Sequence, residues 1–168
     1  MNNNPFNLRQ NPVSYGRIFP NKKVHDSMNE GLSPILIIED RATDLDLTIR
    51  AFAKRKVLNP IEVARDGEEA LTYIDRWQTG ERLPVFVLLD IGLPRVSGLE
   101  VLQKLKGTQV SSSIPVIVLT TSEEDRDIEE AYKLGCNSYI VKPVEFDRFM
   151  EVAAQIEVYW GALNTPSI

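Results

Sequence analysis

Five polar residues of this 168-residue sequence stand directly after short apolar runs. Glu39 and Asp40 follow "ILII" (35–38), Asp90 follows "VFVLL" (85–89), Thr120 follows "VIVL" (116–119) and Lys142 follows "SYIV" (138–141). If those runs lie side by side, three carboxylates, a hydroxyl and an ammonium meet at one edge. Carboxylates brought that close repel one another, and desolvation adds to the cost unless a cation compensates. A hard divalent ion suits them: Mg²⁺ takes about six oxygen ligands at about 2.0–2.1 Å and is commonly held by one or two carboxylates plus a phosphate. The chemistry expected is phosphoryl transfer. Asp90 would be the nucleophile and Glu39 and Asp40 the metal holders, with the Gly92 carbonyl as a further oxygen ligand. Lys142 would pair with Asp90 or with an anion attached to it, and Thr120 would donate its hydroxyl to a phosphoryl oxygen.

The elements that must position these groups are legible in the spacing. The runs "ILII", "IEVA" (61–64), "VFVLL", "VIVL" and "SYIV" are short and rich in β-branched residues, as strands covered on both faces are. Between them the apolar residues recur at helical spacing: Leu45, Ile49 and Phe52; Ala70, Leu71, Ile74 and Trp77; Leu99, Leu102 and Leu105; Ile128, Ala131 and Tyr132; and Phe146, Phe149, Val152, Ala153, Ile156 and Tyr159. Pro84 and Pro115 stand before the third and fourth strands, where a missing N–H costs least. Ser97 with Glu100, and Ser122 with Asp125, read as helix starts, and Gly135 as a helix stop. Five strands alternating with five helices predict a doubly wound α/β fold with a parallel sheet. Such sheets bind ligands beyond the carboxyl ends of their strands, where the five polar residues stand.

The chain should form one domain with a real core, since 43% of it is hydrophobic. Residues 1–32, rich in Asn, Pro, Gly and Ser, read as an arm that is flexible or docked on the surface; residues 33–160 are the domain and 161–168 a tail. His25, in the arm, is expected to be solvated. Twenty-four acidic against 19 basic residues, a formal charge of -5, disfavour direct nucleic-acid contact. The apolar runs fall far short of the roughly 20 residues that cross a bilayer. A cytoplasmic location follows as the expectation, with no membrane contact. The single cysteine, Cys136, reads as an apolar filler, and Trp77 as packed behind the second helix.

The segments "IIED", "ARDGEEAL", "LLDIGLPRVSG", "VLTTS" and "NSYIVKP" occur in that order, and as an ordered set they resemble the receiver domain of two-component response regulators. The resemblance spans about residues 33–160. It implies a flavodoxin-like (βα)5 fold with strand order 2-1-3-4-5, Mg²⁺ as cofactor, and Asp90 as acceptor of a phosphoryl group from a kinase phosphohistidine. Glu39 and Asp40 take the place of the acidic pair, Gly92 that of the residue whose carbonyl meets the metal, Thr120 the switch hydroxyl, Tyr139 the switch aromatic and Lys142 the lysine. Such a domain catalyses only its own phosphorylation and dephosphorylation. Gly92 stands where many members carry a polar side chain, Arg95 and Thr121 enlarge the rim, and Ser97 replaces a common Asp.

The wording "VLTTS", "KPV" and "EVYW" is similar to single-domain regulators paired with bacterial and cyanobacterial phytochrome kinases. That similarity implies a phytochrome-type sensor kinase as partner. It also implies output by contact with a downstream protein, and a homodimer through the face of helix four, strand five and helix five. Two other classes fit part of the pattern. A Mg²⁺-dependent phosphatase with an Asp90 nucleophile commonly has an acid two residues on, where this chain has Gly92. A phosphorylation-independent docking protein would have no use for the full set of polar groups.

Overall fold

The structure, a computed structural model, describes residues 31–143 and 145–163. Most of the expected arm, with His25, and the last five residues of the tail lie outside them. The strands are β1 (Ile35–Ile38), β2 (Ile61–Ala64), β3 (Val87–Leu89), β4 (Val116–Thr120) and β5 (Ser138–Val141). Alternating with them are α1 (Ala42–Lys54), α2 (Gly67–Gln78), α3 (Gly98–Gly107), α4 (Asp125–Lys133) and α5 (Phe146–Ile156). The helix of α5 continues in wider π-type turns over Glu157–Leu163. All neighbouring strands are parallel, in the order β2-β1-β3-β4-β5 expected from the resemblance.

Alternate residues of the strands feed two cores. Leu36, Ile38, Val87, Leu89, Val116 and Val118 face one side, where Ala70, Ile74 and Trp77 of α2, Leu102 and Leu105 of α3 and Ala131 of α4 cover them. Ile35, Ile37, Leu88, Ile117 and Leu119 face the other, beneath Leu45 and Phe52 of α1 and Phe149, Ala153 and Ile156 of α5. Both faces of the sheet are therefore buried, which is why its strands read as continuous apolar runs. Cys136 is buried in the first core, where burial pushes its thiol up.

Three local readings need correction. The third strand begins at Val87 rather than Val85, because Val85 and Phe86 bond only toward the first strand: Val85 N–H donates to the Pro34 carbonyl, and Leu36 N–H to that of Phe86. Ser122 does not cap α4, whose N-cap is Glu124 without a side-chain bond; its hydroxyl instead donates to Asp127 at 2.6 Å. Tyr132, Phe146 and Tyr159 have helical spacing but are half exposed, at 50%, 54% and 56%. Tyr73 and Val101 are buried in the first core without having been singled out. Ser97 does build a capping box with Glu100 at the start of α3, and Gly135 closes α4 at φ +95°. Among the described residues no helix is long and apolar enough to cross a membrane.

Candidate functional site

Strand order fixes where the site must be. From β1 the chain moves outward to β2 and then returns to the opposite side of β1 as β3, so the crossovers diverge between these two strands and leave a crevice beyond their carboxyl ends. The ladder carries the functional residues to its rim. Glu39 N–H donates to the Ala64 carbonyl, Asp90 N–H to that of Ile38, and Lys142 N–H to that of Thr120. Each side chain is anchored by a backbone whose last bond belongs to the sheet.

Gly98 backs Asp90 closely. A Cβ at this position would lie 2.3 Å from the Asp90 carbonyl oxygen and 2.5 Å from the Ile91 Cα, so α3 can start this close to the loop only with glycine. The same loop is held from the side. Arg95, at φ +63°, pairs with Asp66, the N-cap of α2, and with Glu68 at 3.1 Å.

Both carboxylate oxygens of Asp90 have partners. Its Oδ1 accepts from Thr120 Oγ1 at 2.8 Å and from the Gly92 amide at 2.9 Å, and its Oδ2 accepts from Lys142 Nζ at 2.6 Å. Lys142 donates again to Glu39 Oε2 at 2.6 Å and to Asp44 Oδ2 at 3.0 Å. Glu39 Oε1 accepts from the Arg41 amide at 3.0 Å. Glu39, Asp90, Thr120 and Lys142 are all buried, whereas Asp40 is exposed at the mouth.

The charges are unevenly satisfied. Burial pushes the Glu39 carboxyl up to about 7, against the attraction of Lys142, and Asp90 adds to the rise. Lys142 moves in the sense that keeps its charge: burial lowers its pKa, but attraction to Glu39 and the hydrogen bonds it donates to Asp90 and Glu39 outweigh that, and the net direction is up. The two shifts point opposite ways for an ion pair, one disfavouring and the other favouring charge. Sharing explains the difference, since the single ammonium collects the field of both Glu39 and Asp90, while Glu39 shares that ammonium and also has Asp90 as a like-charged neighbour.

One carboxylate oxygen from each of Glu39, Asp40 and Asp90 lies within 4.8 Å of the others. An all-oxygen, anionic donor set of this kind fits a hard divalent cation such as Mg²⁺, and neither histidine nor thiolate competes for the ion among these three residues.

The residues expected from the sequence thus converge. Gly92 places its amide on Asp90, and a Cβ there would meet only Asp90 Oδ1, at 3.4 Å, so glycine leaves this side of Asp90 open. Tyr139 is not at the rim: its hydroxyl donates to the Ser122 carbonyl at 3.1 Å, in the loop after β4. The Ser122 amide in turn makes a long contact of 3.4 Å to Thr120 Oγ1, so Asp90 and Tyr139 are joined through Thr120 and Ser122. Asp44 was missed. Its signal was its place in the first turn of α1, four residues after Asp40, where a carboxylate faces the same end of the sheet.

Comparison with known proteins gives the same picture. The family model described as "Response regulator receiver domain" matches residues 35–154. The chain is 42% identical over 131 residues to the "Probable methanogenesis regulatory protein FilR2" of Methanothrix harundinacea, covering 77% of this chain and 84% of that protein. It is similar to the phosphorylated cyanobacterial phytochrome response regulator RcpA, with TM-score 0.76, 32% identity and coverage of 82% of this chain and 99% of that one. The bacteriophytochrome response regulator AtBRR superposes with TM-score 0.62 at 44% identity, covering 80% and 99%.

Proposed function

The chain belongs to the response regulator receiver family, and on that premise we propose that Asp90 accepts a phosphoryl group from the phosphohistidine of a phytochrome-type sensor kinase, in light signalling. One observation carries the acceptor reading: a buried ammonium, a hydroxyl and a backbone amide all converge on the two oxygens of Asp90. The similarity to proteins described as phytochrome and bacteriophytochrome response regulators supports the choice of kinase.

In the transfer, an Asp90 carboxylate oxygen attacks phosphorus, the P–N bond to the kinase imidazole breaks, and the ring nitrogen leaves with the electron pair. The product is an acyl phosphate on Asp90. Lys142, already directed at Oδ2, meets the charge on the transferring group, and Thr120 turns its hydroxyl from Oδ1 to a phosphoryl oxygen. Glu39, Asp40 and Asp90, with the Gly92 carbonyl, would hold Mg²⁺, which when bound neutralises phosphoryl oxygens and aligns them for attack.

Movement of Thr120 withdraws the group that the Ser122 amide faces, and Ser122 is the acceptor of the Tyr139 hydroxyl. Tyr139 then changes position on β5, the edge strand of the sheet, and the face of α4, β5 and α5 changes with it. The half-exposed Tyr132 of α4 and Phe146 of α5, with Tyr159 in the turns that follow, supply aromatic surface for a homodimer or a downstream protein on this face. The output is a protein contact, and the catalysis is confined to the domain's own aspartate.

Incubation with Mg²⁺ and acetyl phosphate, followed by intact mass and peptide mapping, tests the acceptor. One hydroxylamine-labile phosphoryl group on Asp90, absent from Asp90→Asn, is the expected result. An acid-stable adduct, or equal labelling of both proteins, refutes it and leaves the docking-protein reading. Transfer from a purified phytochrome kinase that ignores illumination would remove the light assignment alone.

A further inference from the structure

The Lys142 side chain is 3% exposed, and its ammonium has three N–H donors. All three are engaged with carboxylates: Glu39, Asp90 and Asp44. Glu39 and Asp90 stand at strand ends and belong to the trio whose oxygens converge for a cation; Asp44 stands outside that trio, in the first turn of α1. Its side chain is 15% exposed. Its other contacts are slight: Thr43 Oγ1 donates to Oδ1 at 3.3 Å, and Arg41 Nη1 lies 3.8 Å from Oδ2.

Phosphoryl transfer changes two of the three partners of Lys142. When Asp90 becomes an acyl phosphate its charge moves from the carboxylate to the phosphoryl oxygens, and Glu39 must turn lone pairs toward a metal ion. A lysine has four rotatable methylenes, and an ammonium whose partners are exchanged during the reaction would lose its direction. Asp44 is the partner that the reaction leaves in place. Its contact of 3.0 Å is longer than the two of 2.6 Å, so it steadies the ammonium without drawing it away from Asp90. The amino-terminal end of α1 also favours a negative charge at this position.

We propose that Asp44 is a positioning residue for phosphoryl transfer, holding the Lys142 ammonium toward Asp90 while Glu39 and Asp90 change partners. The proposal rests on the reading of Asp90 as acceptor, and its test separates the two.

Rates of Asp90 phosphorylation are measured in Mg²⁺ across a range of acetyl phosphate concentrations for wild type, Asp44→Asn and Asp44→Ala. In this reaction the Asp90 oxygen attacks phosphorus, the P–O bond to the acetyl group breaks, and acetate leaves with the electron pair. Alanine removes both charge and hydrogen bond; asparagine removes only the charge, because its amide oxygen can accept the same N–H. Asp44→Ala should lower the saturating rate about 10-fold and leave the half-saturating concentration within about 2-fold, whereas Asp44→Asn should keep the rate within about 3-fold. The ¹⁵N resonance of the Lys142 ammonium gives a second readout, protected from exchange in wild type and Asp44→Asn and broadened in Asp44→Ala. Asp44→Ser, too short to reach Nζ, should follow alanine and serves if alanine disturbs α1.

An Asp44→Ala protein as fast as wild type overturns the proposal, as does an Asp44→Asn protein as slow as alanine, which would assign the effect to net charge. A change in half-saturation alone also overturns it. A wild type that takes no label at Asp90 overturns the acceptor reading and this proposal together, so the two failures are told apart.

Discussion

Glu39 links the phosphorylation site to pH, and the sign of the link follows from burial. Its carboxyl is raised from 4.5 to about 7 in the folded chain, first by desolvation. In the unfolded chain it titrates near the ordinary value, so between these limits the folded state binds the extra proton. The stability associated with protonated Glu39 is fully present below about 4.5 and is lost as pH rises through about 7. At about 1.4 kcal/mol per unit, the interval corresponds to about 3 kcal/mol. The perturbation is Glu39→Gln, which keeps the shape and cannot ionise. Urea unfolding of both proteins from pH 4.5 to 8, without divalent ions, should show wild type losing about 3 kcal/mol relative to the variant as pH rises. Because Mg²⁺ needs the ionised carboxylate, its affinity for wild type should be about 10-fold weaker at pH 6 than at pH 8, as expected for a ligand competing with a proton near pH 7. A stability difference that is flat with pH, or that grows in favour of wild type, would refute the claim that desolvation outweighs Lys142 at this carboxylate.

Three further outcomes are expected. Lys142→Met leaves Glu39, Asp90 and Asp44 without their shared cation, and denaturation at pH 8 should show a loss of about 3–5 kcal/mol that Mg²⁺ partly restores, with Asp90 labelling abolished. Gly98→Ala forces a methyl group against the Asp90 and Ile91 backbone; calorimetry should report about 1–3 kcal/mol of destabilisation, together with slower phosphorylation, because the clash is with the acceptor's own chain. Ser97→Ala removes the capping box of α3 and should cost about 1 kcal/mol in urea unfolding while leaving the phosphorylation rate within about 2-fold, since the cap touches none of the groups on Asp90.

The strands, apart from the start of the third, and the polar residues that end them were determined by the sequence alone, because both are local properties. A β-branched run buried on two faces must be continuous, and the first charge or hydroxyl after it marks where the strand ends; this placed Glu39, Asp90, Thr120 and Lys142 at one rim. The capping box of Ser97 and the left-handed Gly135 were legible for the same reason. Helical spacing showed that a face was apolar and left open whether another element covered it, so Phe146 and Tyr159 could not be told from Phe149 and Ile156. Tertiary structure alone decided what surrounds each charge. Lys142 meets Asp44 across 98 positions and Glu39 across 103, through crossovers that bring α1 and β5 to the same crevice. The raised carboxyl of Glu39 likewise depends on how much water the packed neighbours exclude, a sum over residues distant in the chain.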